Sequence, residues 1–381
     1  MKMEEIRIGI LGGGQLGKML NYTANQWNLP LALLDQQPEF PAGVNSWKFT
    51  TGDFKNYEDV MAFGGHLDIL GIEIEHVNLQ ALYDLEAQGT KVHPRPAVLE
   101  IIKDKYLQNQ FYRKHKLPTV AFDRYDNAEE IKTAVSNGTL VLPFVQKTRG
   151  EGYDGRGVQM VNQPEDLDKL LQGPSIVEGK VKIKKELAVV TARNEAGDIQ
   201  CYDPVEMVFN DQNMLDFLYA PATIPEKIHD QLMNIAHDTM QKYAISGLMA
   251  IEFFWTTDDE ILINEVAPRP HNSGHHTLEN AVTNQFEQHL RGLLNLPLGD
   301  TKLLQPAAML NILGEPDYTG IPVYHGMEDV LALDNVHIHI YGKPETRPYR
   351  KMGHVTVCGT DRIEIEDKIE YIKKTLKVIT S

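Results

Sequence analysis

The sequence predicts a multidomain α/β protein in three parts. Its 381 residues exceed one ordinary hydrophobic core, and length alone predicts two or three domains at about 150 residues each. The first part, residues 1–97, alternates apolar strands with helix-period segments, the pattern of a parallel sheet covered by helices. Residues 98–300 mix strands, helices and glycine-rich loops less regularly, and 301–381 close on short strands and an amphipathic helix.

In the first part, Ile6 to Leu11 reads as a strand ending in Gly12-Gly13-Gly14. Leu16, Met19, Leu20, Thr23 and Trp27 then recur at helical spacing. Leu31 to Leu34 is a second strand, ending at Asp35, and Leu67 to Ile74 a later one. In the middle, Leu140 to Gln146 is a strand, Ser175 to Val190 holds further strand signals, 225–245 is helical, and Leu248 to Val266 forms two strands around TTDDE. Ala307 to Ile312, His337 to Ile340 and a helix near 363–376 complete the chain.

Composition narrows the function classes. No apolar run approaches the roughly 18 residues of a membrane helix, and the acidic start MKMEEIRIGILGGG is no signal peptide. Two cysteines, Cys201 and Cys358, offer neither metal spacing nor a disulfide framework, as expected in a cytoplasmic protein. A net charge of −16 argues against nucleic acid or an anionic membrane as partner, so an anionic substrate must be met by local cations.

Gly12, Gly14 and Gly17 satisfy GxGxxG between a strand and a helix, the Rossmann-like arrangement in which helix N–H groups receive an anion. The motif alone leaves three readings open: a dinucleotide site, a phosphate site, or a tight turn. The second glycine loop, Lys147-Thr-Arg-Gly-Glu-Gly-Tyr-Asp-Gly-Arg-Gly157, says more. Four glycines in eight residues give a loop whose N–H groups can close over phosphates, with Lys147 as a point charge at the strand end. No Walker loop is present. Downstream, Lys180, Lys182 and Lys184 alternate with Val181 and Ile183 as a solvated strand face, whereas Glu178 and Glu186 flank a hinge where they could accept hydrogen bonds from an adenine amine or a ribose.

The acids of 248–266 carry the sharpest expectation. In a symmetric hairpin turning at Asp258 and Asp259, Glu252 falls opposite Glu265, with Cβ atoms about 4.5–5.5 Å apart. Alternation puts both on one face with Ala250, Phe254, Ile261 and Ile263. Two like charges there need a proton or a cation between them, and Mg²⁺ bridging them to ATP phosphates would serve. The loop beyond, with Arg269, His271, Asn272, Ser273 and His275, supplies donors for an oxyanion.

These residues, with NEVAPRPHNSGH above all, resemble the ATP-grasp superfamily, and within it the N5-carboxyaminoimidazole ribonucleotide synthetase family. GGGQLG, NQFEQHLR with LPLG, and HIYGKPETRPYRKMGH extend the resemblance over nearly the whole chain. It implies an N-terminal Rossmann-like domain, a central ATP-grasp domain with a moving glycine-loop subdomain at about 120–185, and a small C-terminal domain. It also implies a ligase that joins ATP, bicarbonate and 5-aminoimidazole ribonucleotide through carboxyphosphate in purine synthesis. Mg²⁺, replaceable by Mn²⁺, would be the metal, with no NAD and no biotin, and the enzyme would be a homodimer.

By the same resemblance, Lys105, Lys147, the loop Gly152, Tyr153, Asp154, Gly155, Arg156 and Gly157, and Asn210 would hold ATP. Glu178, Gly179, Lys180 and Val181 would form the adenine hinge and Glu186 the ribose acid. Glu252 and Glu265 would bind magnesium, with Asn264 beside them. Asp154, Arg156, Arg269 and His271 would be catalytic, and Tyr153 would face the imidazole substrate. Lys343 and Arg350 would hold its phosphate, and Gly14, Gln15, Leu16 and Glu73 would complete its site. The chain departs from the family pattern at Lys105 (usually Arg), His76 in IEIEHV (usually Asn), Asn210 (often His) and Glu151 (commonly Gly).

Among competing readings, a formate-dependent glycinamide ribonucleotide transformylase would read SPRPHD in the late loop. A biotin carboxylase would carry EMN where Ala267 stands. An NAD-dependent oxidoreductase leaves Lys147 and the paired acids without a role. A nucleotide sensor has no need of so many substrate-side groups.

Overall fold

The computed structural model describes residues 2–150, 157–210 and 215–381. Its first sheet contains β1 (Ile8–Leu11), β2 (Leu31–Asp35), β3 (Lys48–Thr51), β4 (Ile69–Ile72) and β5 (Lys91–His93), all parallel in the order β3-β2-β1-β4-β5. The continuous apolar run of β1 is explained by burial on both faces. Ile8 and Ile10 pack with Leu16, Met19 and Leu20 of helix Gln15–Gln26 and, from far along the chain, with Phe286, Leu290 and Leu293 of helix Gln285–Leu293. Leu11 points the other way, into the cluster with Val60, Phe63, Leu82 and Leu85. The strand order reverses between β1 and β4, so the loops after these two strands meet at a crevice where α/β sheets bind ligands.

A second sheet, antiparallel, has the order β6-β9-β7-β8, from β6 (Phe122–Tyr125), β7 (Phe144–Thr148), β8 (Val158–Val161) and β9 (Ser175–Gly179). The strand expected from Leu140 begins only at Phe144. Pro143 has no N–H to give the ladder, and the pairing starts just beyond it.

The largest sheet has nine strands: β10 (Ile183–Arg193), β11 (Ile199–Cys201), β12 (Val205–Phe209), β13 (Leu215–Ala220), β14 (Gly247–Thr256), β15 (Ile261–Ala267), β16 (Ala307–Leu313), β18 (Val336–Ile340) and β19 (Lys351–Cys358). It runs β15-β14-β10-β12-β13-β16-β19-β18, with β11 paired to β10. The short strands β17 (Pro322–His325) and β20 (Lys377–Thr380) pair separately. Because β13 pairs with β16, the sheet continues without a break from the middle part into the last. Helix Glu226–Tyr243 covers one face of β10, β14 and β15 through Ile228, Leu232, Ala236 and Met240, packed on Leu187, Val189, Ile251, Phe253 and Ile263. The opposite face carries the acids. Among the described residues no helix is long and apolar enough to cross a membrane.

Candidate active site

The acidic face is built by register. Ala188 of β10 pairs with Glu252 of β14, which pairs with Glu265 of β15; Glu186 lies two residues along β10, opposite Phe254. Glu252 therefore stands opposite Glu265, as the sequence predicts, but by a different route. The turn closes with Thr256 N–H donating to Glu260 O and Asp259 at φ +60°, which sets Trp255 against Ile261 and Phe253 against Ile263. That register would leave Glu265 out of step with Glu252. A β-bulge at Asn264 absorbs the extra residue. Two consequences follow. Asn264 and Glu265 both face the site, and Ile261 and Ile263 turn into the hydrophobic core with Phe253 and Trp255 instead of sharing the acids' face.

Cations reach this face from the two neighbouring elements. Asp104 caps helix Lys105–His115 by accepting from the N–H groups of Tyr106 and Leu107, and Lys105 extends from its first position to 2.7 Å from Glu265 Oε2. Lys147 and Glu178 are diagonal neighbours on β7 and β9 and form an ion pair of 2.7 Å. Lys147 also donates to Asn264 Oδ1 at 3.1 Å and lies 5.9 Å from the centre of the Phe254 ring. Asn109, a further donor to Glu178 at 3.1 Å, completes this buried group.

The two facing acids are electrostatically unequal. Burial, then repulsion from Glu265 and Glu186, pushes the Glu252 carboxyl up to about 8, whereas Lys105 holds Glu265 well below the usual carboxylate range. The Glu265 side chain is 44% exposed to the cleft. Protein surrounds it closely enough that Lys105 still governs its charge, because low-dielectric walls strengthen a short ion pair. Burial also raises the Glu186 carboxyl. An acid whose charged form is disfavoured by burial and by like-charged neighbours is a place for a cation, and two carboxylates with the Asn264 amide form a hard-oxygen donor set suited to Mg²⁺. No group of three or more His, Cys, Asp or Glu side chains forms a metal cage among the described residues. Mg²⁺ does not need one, since it binds by one or two carboxylates together with substrate phosphates and water.

The loop after β15 is held from several sides. Arg269 Nε lies 2.9 Å from Glu75 Oε1, which joins the loop to the segment after β4. His271 accepts the Ser273 N–H at Nδ1, 3.3 Å away, and its Nε2 lies 3.7 Å from Glu252 Oε1. Asn272 donates to Asn311 Oδ1 on β16 at 3.1 Å.

At the crevice of the first sheet the glycine loop already has carboxylate partners. Gly13 N–H donates to Asp35 at 2.7 Å, Gly14 N–H to Glu73 at 2.6 Å, and Gly17 N–H to the other oxygen of Glu73. Gly12 is required by its φ of +113°, and a Cβ on Gly17 would sit 2.8 Å from Gly12 O. Burial pushes the Glu73 carboxyl up to about 7. Gln15 opens the following helix, whereas the Leu16 side chain belongs to the core.

The last part brings cations to the same crevice. Lys18 donates to Ile340 O and Tyr341 O, tying the first helix to the strand end before Lys343. Lys343 donates to Lys351 O at 2.6 Å and Arg350 to Glu345 O at 2.8 Å. Burial, then the charges of Arg350 and Lys351, pushes the Lys343 ammonium down to about 7.

The remaining expected residues are placed as follows. Gly157 closes the stem of the glycine loop by accepting the Thr148 N–H at 2.9 Å. Gly179 ends β9, Lys180 donates to Asn162 Oδ1 at 2.8 Å, and Val181 lies before β10. Asn210 follows β12. Gly152, Tyr153, Asp154, Gly155 and Arg156, together with Glu151, lie outside the described residues.

Comparison with known proteins decides the family. The chain matches the ribonucleotide synthetase preATP-grasp domain over residues 3–103, the ATP-grasp domain over 110–286 and the phosphoribosylaminoimidazole carboxylase C-terminal domain over 307–368. The crystal structure of N5-carboxyaminoimidazole ribonucleotide synthetase from Thermotoga maritima is 41% identical, with a TM-score of 0.91 over 98% of this chain and 99% of that one. The chain belongs to the N5-carboxyaminoimidazole ribonucleotide synthetase family. It is an ATP-grasp ligase.

Other members of the family extend the comparison. The Aspergillus clavatus synthase, in complex with ADP and 5-aminoimidazole ribonucleotide, is 32% identical with a TM-score of 0.89 over 98% of this chain and 99% of that one. The phosphoribosylaminoimidazole carboxylase of Candida glabrata is 36% identical over 97% of this chain but only 66% of its own length, so the chain spans about two thirds of that relative. Several residues packed into this candidate site carry no role in the sequence analysis. Glu75 and Lys351 lie within the segments IEIEHV and HIYGKPETRPYRKMGH without a role of their own, and Asn109 and Lys18 carry no expectation from the sequence. Gln285 was quoted within NQFEQHLR without a role. Asn109 and Gln285 are both buried, which is unusual for an amide side chain, but each lies among other polar residues of its helix, so no local pattern marks it.

Proposed function

We propose that this chain carboxylates the exocyclic amine of 5-aminoimidazole ribonucleotide, using ATP and bicarbonate and releasing ADP and phosphate, as a step of purine synthesis. The observation that carries the reading is the pair Glu252 and Glu265 facing each other beside Lys105, Lys147 and the Arg269–His271 loop. The A. clavatus complex supports the choice of nucleotide substrate.

In this reading Lys105 and Lys147 leave their carboxylate partners to meet ATP phosphates. Glu178 to Val181 face the adenine and Glu186 the ribose, with Asn210 and the loop from Gly152 to Gly157 closing over the nucleotide. Mg²⁺ held by Glu252 and Glu265, with Asn264 beside them, would neutralise charge on the phosphates during transfer. A bicarbonate oxygen attacks the γ-phosphorus, ADP leaves, and carboxyphosphate forms. Arg269 and His271 orient that anion while Asp154, Arg156 and Tyr153 face the imidazole. The substrate amine then takes the carboxyl carbon, inorganic phosphate departs, and the amine proton is lost. Lys343 and Arg350 hold the ribonucleotide phosphate beside Gly14, Gln15, Leu16 and Glu73. Water must be kept out, because carboxyphosphate hydrolyses readily. The reading includes a homodimer in the cytoplasm, and light scattering on the purified protein measures the first.

Phosphate release, measured with ATP, bicarbonate and 5-aminoimidazole ribonucleotide each omitted in turn, tests the reading. Release that needs all three, with an acid-labile carbamate as product, is expected. Release with glycinamide ribonucleotide and formate in their place would move the chain to the transformylase activity.

A further inference from the structure

Helix Gln285–Leu293 packs against the first sheet, yet the side chain of its first residue points the other way, into the loop that carries His271. Gln285 is fully buried, and both ends of its amide are committed. Oε1 accepts the His271 N–H at 2.9 Å, and Nε2 donates to His271 O at 2.9 Å and to His275 Nδ1 at 2.8 Å. One side-chain amide thus pairs with both main-chain groups of a single residue, as a neighbouring strand would. Both obligatory main-chain hydrogen-bonding groups of His271 are thereby satisfied.

The helix itself is anchored before Gln285 acts. Asn284 caps it by accepting from the N–H groups of Phe286 and Glu287, and the Gln285 N–H donates to Thr277 Oγ1 at 2.9 Å. Thr277 in turn donates to Gly274 O at 2.6 Å. A Cβ on Gly274 would come within 2.5 Å of Gln285 Oε1, so the loop closes on the amide with no space left for a larger residue. With its main chain clamped, the His271 ring is steadied by Ser273 at Nδ1, and its Nε2 is left facing Glu252 at 3.7 Å. On the far side, the bond from Nε2 of Gln285 requires His275 Nδ1 to be an acceptor. Burial keeps that imidazole neutral, so its proton sits on Nε2.

We propose that Gln285 is a positioning residue for the carboxylation, fixing the His271 main chain so that the His271 ring meets bicarbonate at a set place beside Glu252. The inference rests on the reading that His271 lies on the bicarbonate side. It gives NQFEQHLR a function: the apolar residues dock the helix on the first sheet, and the glutamine transmits that docking to the loop on the large sheet.

Gln285→Glu is the decisive variant. It preserves size and the acceptor for His271 N–H but removes the donor to His271 O and to His275. Steady-state kinetics of the full chain are compared for the wild type, Gln285→Glu, Gln285→Leu and His271→Ala, with thermal unfolding of each. The expected result for Gln285→Glu is a bicarbonate KM raised ~10-fold or more, the scale of one or two buried hydrogen bonds, with the ATP KM changed less than about three-fold. A folded Gln285→Glu enzyme with wild-type bicarbonate KM overturns the proposal. So does an equal change in both KM values that tracks lost stability, and so does failure of both Gln285 variants to fold, since the residue then serves the fold alone. If His271→Ala itself leaves the bicarbonate KM unchanged, the reading of His271 fails; if His271→Ala raises it and Gln285→Glu does not, only this inference fails.

Discussion

The acidic face of the large sheet and the cationic loop of the last part treat their charges in opposite ways. On the sheet, Lys105 pairs with Glu265 and Lys147 with Glu178, so each cation already has an anion. In the loop, Lys343 and Arg350 meet carbonyl oxygens of Lys351 and Glu345, which accept hydrogen bonds but neutralise nothing. Burial and like charge push the Lys343 ammonium down to about 7, and they push the Glu252 carboxyl up to about 8. On the proposed function, the first region exchanges partners when a metal and phosphates arrive. The second has a deficit of negative charge that a phosphate would fill. On the proposed function, that contrast lets a chain of net charge −16 bind two phosphorylated substrates.

The largest way to break the comparison is to remove an acid from the sheet. Glu265→Gln abolishes the pair with Lys105 and, on the proposed function, a metal ligand together, and is expected to lower kcat/KM for Mg-ATP by roughly 10³-fold, with Glu252→Gln close behind. Initial rates at varied ATP measure this, and wild-type activity in either variant would refute the metal assignment. Next comes Lys343→Met, expected to raise the KM for 5-aminoimidazole ribonucleotide by about 10- to 100-fold, the worth of one charged hydrogen bond, while sparing the KM for ATP. An ATP effect of equal size would mean that the two regions are not separate.

The pH dependence sharpens the contrast further. Lys343 is charged below a pKa depressed to about 7 and neutral above it. The kcat/KM for the ribonucleotide should therefore fall as pH rises through that value, since this ratio reports the free enzyme. Lys343→Arg, charged throughout, should remove that limb, and a limb unchanged in the variant would assign it to another group. The smallest effect is expected from Lys105→Arg. It restores a bidentate fork without changing charge, and the KM for ATP should shift less than about three-fold.

The parts of this molecule that were legible in the sequence are those set by local pattern. The apolar run of β1 with its glycine turn announced a buried parallel strand. The facing acids of β14 and β15 followed from alternation and a central turn. Alternation failed at Asn264, because the hydrogen bonds of the Thr256–Glu260 turn fix a register that only a bulge can reconcile with the acid pair. Contacts across the chain were legible only through the resemblance and from no local pattern. Lys105 reaches Glu265 across 160 positions and Lys147 reaches Asn264 across 117, so no period in the sequence records them. The helix beginning at Gln285 shows the same limit. NQFEQHLR enters the sequence reading only through the resemblance, and only the fold shows that its apolar side faces the first sheet while its amide enters the loop of another.

The most direct test of the account uses bicarbonate labelled with ¹⁸O in the complete reaction, with mass analysis of the phosphate released. If bicarbonate attacks the γ-phosphorus beside Glu252 and Glu265, one labelled oxygen passes to inorganic phosphate. Phosphate that instead takes its new oxygen from water would contradict the account, because ATP would then be hydrolysed without carboxyphosphate.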